Sequence, residues 1–264
     1  MRIFDGLYAE AEKNGYFLTV YQTKQDQKKE EHSIRKSLQD NVDGIIIYPV
    51  QKELYNEEIL KLALNRFPTV LVDRSLEGIS INSVVSDNEK ASYQATKFLI
   101  EQGHSNIGFL SPSLEMAIPL QDRYKGFIRA HEESNITINK DYIYINSINM
   151  DSAFDESISE SSIAGFDQFL TKNSSMTALL CAEPLELKLL FYWTNKLGIS
   201  IPDDLSFLCF DDFEFADFFS IPPTVVRQDS EKIGRTSFSL LKKLMSGETT
   251  NFSAEQLETK LVIR

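Results

Sequence analysis

Residues 82–110 read NSVVSDNEKASYQATKFLIEQGHSNIGFL, and three patterns follow one another inside them. NSVVSD (82–87) and NIGFL (106–110) are short β-rich runs of the kind found in parallel strands covered on both faces. Between them Asp87 is a natural N-cap, Ala91, Ala95, Phe98 and Leu99 recur at helical spacing, and Gly103 stands where a left-handed C-terminal cap belongs. The stretch predicts strand, helix, strand, the unit from which parallel α/β sheets are assembled.

The alternation continues in both directions. Further strands are expected at YFLTVY (16–21), GIIIYP (44–49), TVLVDR (69–74), YIYIN (142–146), TALLCA (177–182) and LSFLCF (205–210). Helix-length amphipathic segments separate most of them, at about residues 3–14, 27–40, 53–65, 121–134, 160–172, 184–197 and 229–246. This order indicates a doubly wound α/β architecture. No Gly/Ser-rich linker divides the chain, so two lobes would be tightly joined. The front departs from the pattern. RIFDGLYAEAEKNGY is helical, with Phe4, Leu7 and Ala11 on one face, yet no strand precedes it. A doubly wound sheet usually opens with a central strand, so a first strand is expected to be missing, through a lost start or numbering from an internal methionine.

A chain of 264 residues suffices for one sizeable α/β domain or two smaller lobes without disulfide support. Its net charge of −12 argues against a nucleic-acid surface within the chain, because phosphate recognition needs clustered Lys and Arg. No run approaches the roughly 18 apolar residues that cross a bilayer. The first residues carry charges where a secretion signal has its apolar stretch, and a cytoplasmic protein with no membrane partner is expected. Cys181 and Cys209 each sit in an apolar run, ALLCA and FLCF, as buried reduced thiols do.

Enzymatic signatures do not occur: there is no GxGxxG after a strand, no GxxxxGK with Ser or Thr, no GxSxG and no HExxH. His32, His104 and His131 are scattered and have no partner at metal-ligand spacing. The pair Asp211-Asp212 lacks the spacing of a calcium loop, and adjacent residues at a strand end point in different directions, which disfavours both a metal and an acid–base pair. No enzyme activity, cofactor or metal is expected.

Ligands of open α/β sheets bind beyond the carboxyl ends of the strands. Asp73, Asp87, Ser111, Glu183 and Asp211 occupy those positions, and an aromatic run from Phe213 to Phe219 follows the last. Carboxylates that accept hydrogen bonds beside flat apolar faces suit a polyhydroxylated ligand such as a sugar. A plainer reading stays open, in which some of these acids, Asp87 above all, only cap the following helices.

Taken in order, VDGIIIYP, TVLVDR, VVSDNEKASYQATKFLIEQGHSNIGFL, DRYKGFIRAH, LGISIPDDLSFLCFDD and PPTVVRQDSEKIG resemble the effector-binding region of LacI/GalR-type bacterial transcription regulators, over nearly the whole chain. Regulators with a GntR-type head on the same effector domain are compatible with these motifs. The resemblance implies two Rossmann-like lobes with parallel sheets, of the periplasmic-binding-protein type I, joined by crossovers. One lobe would hold roughly residues 1–111 plus 227–246, the other 112–226 plus 247–264. It further implies a small effector, usually a sugar or related metabolite, in the cleft between the lobes. A homodimer and operator DNA bound through a helix-turn-helix head outside this chain are implied as well.

The arginine of the family's RxxGF motif falls on Arg123, and the first aspartate after FLCF falls on Asp211; the resemblance implies that both face the ligand. A guanidinium fork and a carboxylate that accepts two hydroxyls suit that task. Phe213 is expected to wall the cleft. The family commonly has Asn-Asp after the LLCA strand. Here Glu183-Pro184 stands in that place, which replaces a donor and acceptor by a pure acceptor and favours a ligand with extra donors. The expected function is sensing without chemistry, in which effector occupancy changes the geometry that positions DNA-binding heads. Its rivals are a sugar-binding protein of an ABC importer, which shares the fold, and an enzyme on a doubly wound sheet.

Overall fold

The computed structural model describes residues 2–50, 54–146, 160–212, 222–248, 252 and 254–264. The chain forms two compact units, residues 1–87 with 229–258 and residues 88–228 with 259–264. The first unit opens with α1 (Arg2–Lys13), α2 (Gln27–Gln39), β1 (Ile45–Ile47), α3 (Glu57–Leu64), β2 (Thr69–Val72) and β3 (Asn82–Ser86). The second runs through α4 (Asn88–Glu101), β4 (Ile107–Pro112), α5 (Ile118–Glu133), β5 (Ile143–Asn146) and α6 (Glu160–Lys172). It continues with β6 (Ala178–Cys181), α7 (Leu185–Leu197), β7 (Ser206–Phe210) and β8 (Thr224–Arg227). The chain then returns to the first unit for α8 (Ser230–Met245) and β9 (Ala254–Leu257), and ends in the second with β10 (Lys260–Val262).

The first unit's sheet has the order β1-β2-β3-β9, parallel throughout. Successive side chains of a strand point to opposite faces, and β2 shows why its sequence is apolar without a break. Val70 and Val72 join Ile233 and Leu241 of α8 on one face, while Leu71 packs with Ile34 of α2 and Ile59 and Leu62 of α3 on the other. α1 and α8 meet backbone to backbone. A Cβ on Gly234 would stand 2.1 Å from the Ile3 carbonyl oxygen, and one on Gly6 would stand 2.1 Å from that of Glu231.

The second unit's sheet has the order β10-β8-β7-β6-β4-β5, parallel except for the antiparallel β10. Its faces alternate in the same way. Ala178, Leu180, Leu208 and Phe210 pack with α4 and α5, whereas Leu179, Cys181, Phe207 and Cys209 pack with Phe166 and Phe169 of α6 and Trp193 of α7. Both cysteines are buried, and neither is in a disulfide. No described helix is long and apolar enough to cross a membrane.

Residues 82–110 do form strand, helix and strand, but the two strands belong to different sheets. β3 pairs with β2 and β9, whereas β4 pairs with β5 and β6. Ala91, Ala95 and Leu99 of α4 accordingly share a core with Phe109, Phe127 and Leu180. The chain therefore leaves the first unit between residues 87 and 88, earlier than the division at 111/112 read from the sequence. At the far end β9 pairs with β3, so residues up to 258 stay in the first unit and only 259–264 enter the second.

YFLTVY is not a strand. Residues 16–23 have no regular structure, Phe17 is wholly exposed and Val20 is 62% exposed. Among the described residues no strand pairs with this segment, and β1 is hydrogen-bonded on one side only, to β2. An apolar β-rich run without a neighbour cannot satisfy its backbone groups in a ladder. The reverse miss concerns β9, whose residues AEQL are mostly exposed at a sheet edge and carry no apolar period. β8 (TVVR) is a further strand beyond those expected from the sequence. α5 starts ahead of the expected residue 121 because Pro119 fits a first helical turn, where its missing N–H is no loss.

Candidate functional site

In the second unit, Arg123 of α5 is 4% exposed, and its guanidinium is held from three sides. Nε donates to Asn88 Oδ1 at 2.8 Å and Nη1 to the Ala182 carbonyl at 2.5 Å, while the plane lies over the Phe210 ring, 4.1 Å from its centroid. Ala182 and Phe210 follow or end β6 and β7, each one residue before an expected ligand position, Glu183 and Asp211. The fold thus gathers Arg123 and the two strand ends at one edge of the sheet. Arg123 makes no ion pair among the described residues; Asp122, its neighbour in sequence, pairs with Lys125 instead.

Asp211 has a left-handed backbone, φ 64°, and its N–H donates to Val226 at 2.8 Å. Such a conformation is uncommon outside glycine, though aspartate tolerates it, and it turns the chain sharply off the strand. The carboxylate is occupied within the unit. Gln228, the residue after β8, donates from Nε2 to both Asp211 oxygens, at 2.9 and 2.8 Å. Asp212 faces elsewhere and accepts from Arg227 and, at 2.8 Å, from Arg264 near the C-terminus. Burial raises the Asp212 pKa, but the two guanidiniums outweigh it and hold the carboxyl below the usual range. This acid braces the sheet edge through Arg227 and Arg264.

Glu183 is half-buried directly after β6 and engages other groups of the protein. Asp87 closes the first unit's β3, where its N–H donates to Leu257 at 3.0 Å. It lies one residue before Asn88, the acceptor of Arg123. Phe213, like the rest of the aromatic run, lies outside the described residues. Ser111, near the end of β4, is fully buried, and its hydroxyl has no hydrogen-bond partner among the described residues.

The first unit repeats the Asp211 arrangement. Asp73 follows β2 with φ 66°, and its N–H donates to Val84 on the neighbouring strand at 2.8 Å. Beside it Arg74, 7% exposed, donates to the Pro49 carbonyl at 3.4 Å and stacks over Tyr48. Glu30 of α2 accepts from the Val50 N–H at 2.8 Å and from Asn56 Nδ2 at 2.7 Å. Sequence reasoning missed Asn88, Gln228 and this Glu30 network. Only Gln228 carried a local signal, since it follows the strand TVVR as Asp211 follows FLCF. Among the described residues no group of three or more His, Cys, Asp or Glu side chains is placed to hold a metal ion.

A family model described as a periplasmic binding protein-like domain matches residues 96–264. The HTH-type transcriptional repressor PurR of Vibrio campbellii is 27% identical over 265 residues, which cover 99% of this chain and 75% of the repressor. PurR of Vibrio atlanticus is 30% identical over 242 residues, covering 90% of this chain and 68% of that protein. Among solved structures, the transcriptional regulator CelR in complex with cellobiose matches with a TM-score of 0.83 at 22% identity, over 100% of this chain and 77% of CelR. That last likeness is one of fold.

Proposed function

Because the chain belongs to the periplasmic-binding-protein-like family, as the effector-binding domain of a LacI-type transcriptional regulator, we propose that it senses a sugar or related polyhydroxylated metabolite held by Arg123 and Asp211. The observation that carries this reading is the buried Arg123 guanidinium, stacked on the ring of Phe210, the residue before Asp211. A guanidinium fork donates to ring and hydroxyl oxygens, and a carboxylate accepts from two hydroxyls at once. Glu183 adds an acceptor, Asp73 and Asp87 are the corresponding acids of the first unit, and Phe213 is the candidate aromatic wall. The cellobiose complex of CelR supports a sugar as the ligand class.

In this reading the chain is the effector-binding part of a homodimeric cytoplasmic regulator. Occupancy alters DNA affinity only through the effector's differential affinity for two arrangements of the protein, typically worth about 1–3 kcal/mol. The ABC-importer alternative is not favoured, because the curated relatives named above are transcriptional repressors. They are also not enzymes, and no turnover of sugars is expected. The test is a thermal-shift screen of sugars and sugar phosphates followed by calorimetry of the hit. Arg123→Ala should weaken binding by roughly 2–5 kcal/mol, since truncation of one partner in a buried hydrogen-bonded charge arrangement strands the others. Unchanged affinity in that variant would remove Arg123 from the site.

A further inference from the structure

The chain passes between its two compact units at 87/88, 228/229 and 258/259. The residues at the first two of these points are the hydrogen-bond partners of the two side chains assigned to the effector. Asn88, the first residue of the second unit, accepts from Arg123 Nε. Gln228, the last residue before the chain returns to the first unit, spans both oxygens of Asp211. We propose that Gln228 is a positioning residue that the effector displaces from Asp211, and that this exchange of hydrogen bonds is how occupancy reaches the 228/229 crossover. The inference rests on the assignment of Asp211 to the effector and deepens it.

The chemistry of the Asp211–Gln228 pair suits displacement. One amide nitrogen serves both carboxylate oxygens, whereas two ligand hydroxyls would each give a hydrogen bond of their own. The other end of the same amide, Gln228 Oε1, is buried without a hydrogen-bond partner among the described residues. A buried acceptor left unsatisfied costs free energy, so the present position of the side chain is only half stabilised. Its backbone is well placed to pass on a change. It follows β8 directly and precedes Asp229, whose side chain accepts from the Lys232 N–H at 3.0 Å and caps α8. Asn88 is the fixed counterpart: 4% exposed at the start of α4, it holds Arg123 while Arg123 Nη2 takes part in no hydrogen bond among the described residues. The residue before it, Asp87, is tied through its N–H to Leu257, close to the third crossover.

The experiment is hydrogen exchange read by mass spectrometry on wild type and Gln228→Ala, each without sugar and with whichever of cellobiose, glucose or ribose raises the wild-type melting temperature. Without sugar, Gln228→Ala should exchange several-fold faster than wild type over residues 227–232, with β6 and β7 unchanged. Sugar should bring wild type to that same level and change the variant no further, while the variant binds the sugar at least as tightly as wild type because its competitor is gone. The inference is overturned if sugar alters residues 227–232 equally in both proteins, or if Gln228→Ala binds sugar more weakly, which would make Gln228 a ligand contact. It is also overturned if the sugar-free variant exchanges like wild type. If none of the three sugars moves the wild-type melting temperature, the sugar-sensing assignment itself fails, and the displacement by sugar with it. That result is distinct from binding without an exchange response.

Discussion

Glu30 and His131 are buried ionisable side chains whose environments drive stability in opposite directions with pH. Burial pushes the Glu30 carboxyl above the ordinary carboxylate range, more than its bonds to Val50 and Asn56 and the Arg74 charge lower it. A raised carboxyl contributes stability at low pH that is lost as pH rises through its folded value. Burial lowers His131, against the opposing bond between its Nδ1 and the Phe127 carbonyl, 2.9 Å apart. A lowered imidazole contributes stability above its unfolded value, about 6.5, that is lost as pH falls through its folded one. Melting temperature followed from pH 7 towards pH 5 (about the range in which His titrates) should therefore fall less steeply in His131→Gln than in wild type. Glu30→Ala leaves the Val50 N–H and Asn56 amide without their acceptor, and should cost about 1–3 kcal/mol in urea denaturation for each group left unsatisfied. The sequence marked Arg123 and Asp211 through their motifs and strand-end positions. It did not mark Glu30, Asn88 or Gln228, because a buried partner is chosen by neighbours distant in sequence: Glu30 reaches 26 residues to Asn56, and Arg123 reaches 35 to Asn88.

Elements show the same division. The helical period of 88–101, the residue before it and the glycine after it located α4 to within a residue or two. The RxxGF motif also contains Gly126, whose importance is visible only where helices meet. A Cβ there would lie 2.2 Å from the Glu89 carbonyl oxygen and 2.8 Å from the Tyr93 nitrogen, so α5 and α4 touch backbone to backbone. Gly126→Ala should destabilise the second unit by about 1–3 kcal/mol, the usual cost of overpacking. Chemical denaturation monitored at Trp193 of α7, which lies in that unit, reads this directly. Gly234→Ala should act similarly on the first unit, between α8 and α1, with no effect on the Trp193 environment. Residues 16–21 teach the converse. Their composition suits a strand, yet a strand exists only with a neighbour to bond, and none of the described strands provides one.

At the level of the whole molecule, the last six residues finish a sheet begun far earlier in the chain. β10 covers β8 through Lys260, Leu261 and Val262, and Arg264 braces Asp212. Deletion of residues 259–264 should expose the β8 edge and raise hydrogen exchange at 224–227 several-fold, while β2 and β3 keep their protection. Equal loss in both units would mean that they unfold as one. The sequence alone established the α/β class, most helices and buried strands, the absence of familiar catalytic motifs and the family resemblance. Those features depend on local period, on capping residues and on motif order, all of which are written along the chain. Which sheet each strand joins was settled by tertiary structure, and with it the crossing at 87/88 in the middle of a stretch that reads as one continuous βαβ unit. Periodicity says which faces of a strand are apolar and leaves open which neighbour it bonds. That choice is made by contacts such as β3 with β9 and β4 with β6, between segments some 70 to 170 residues apart.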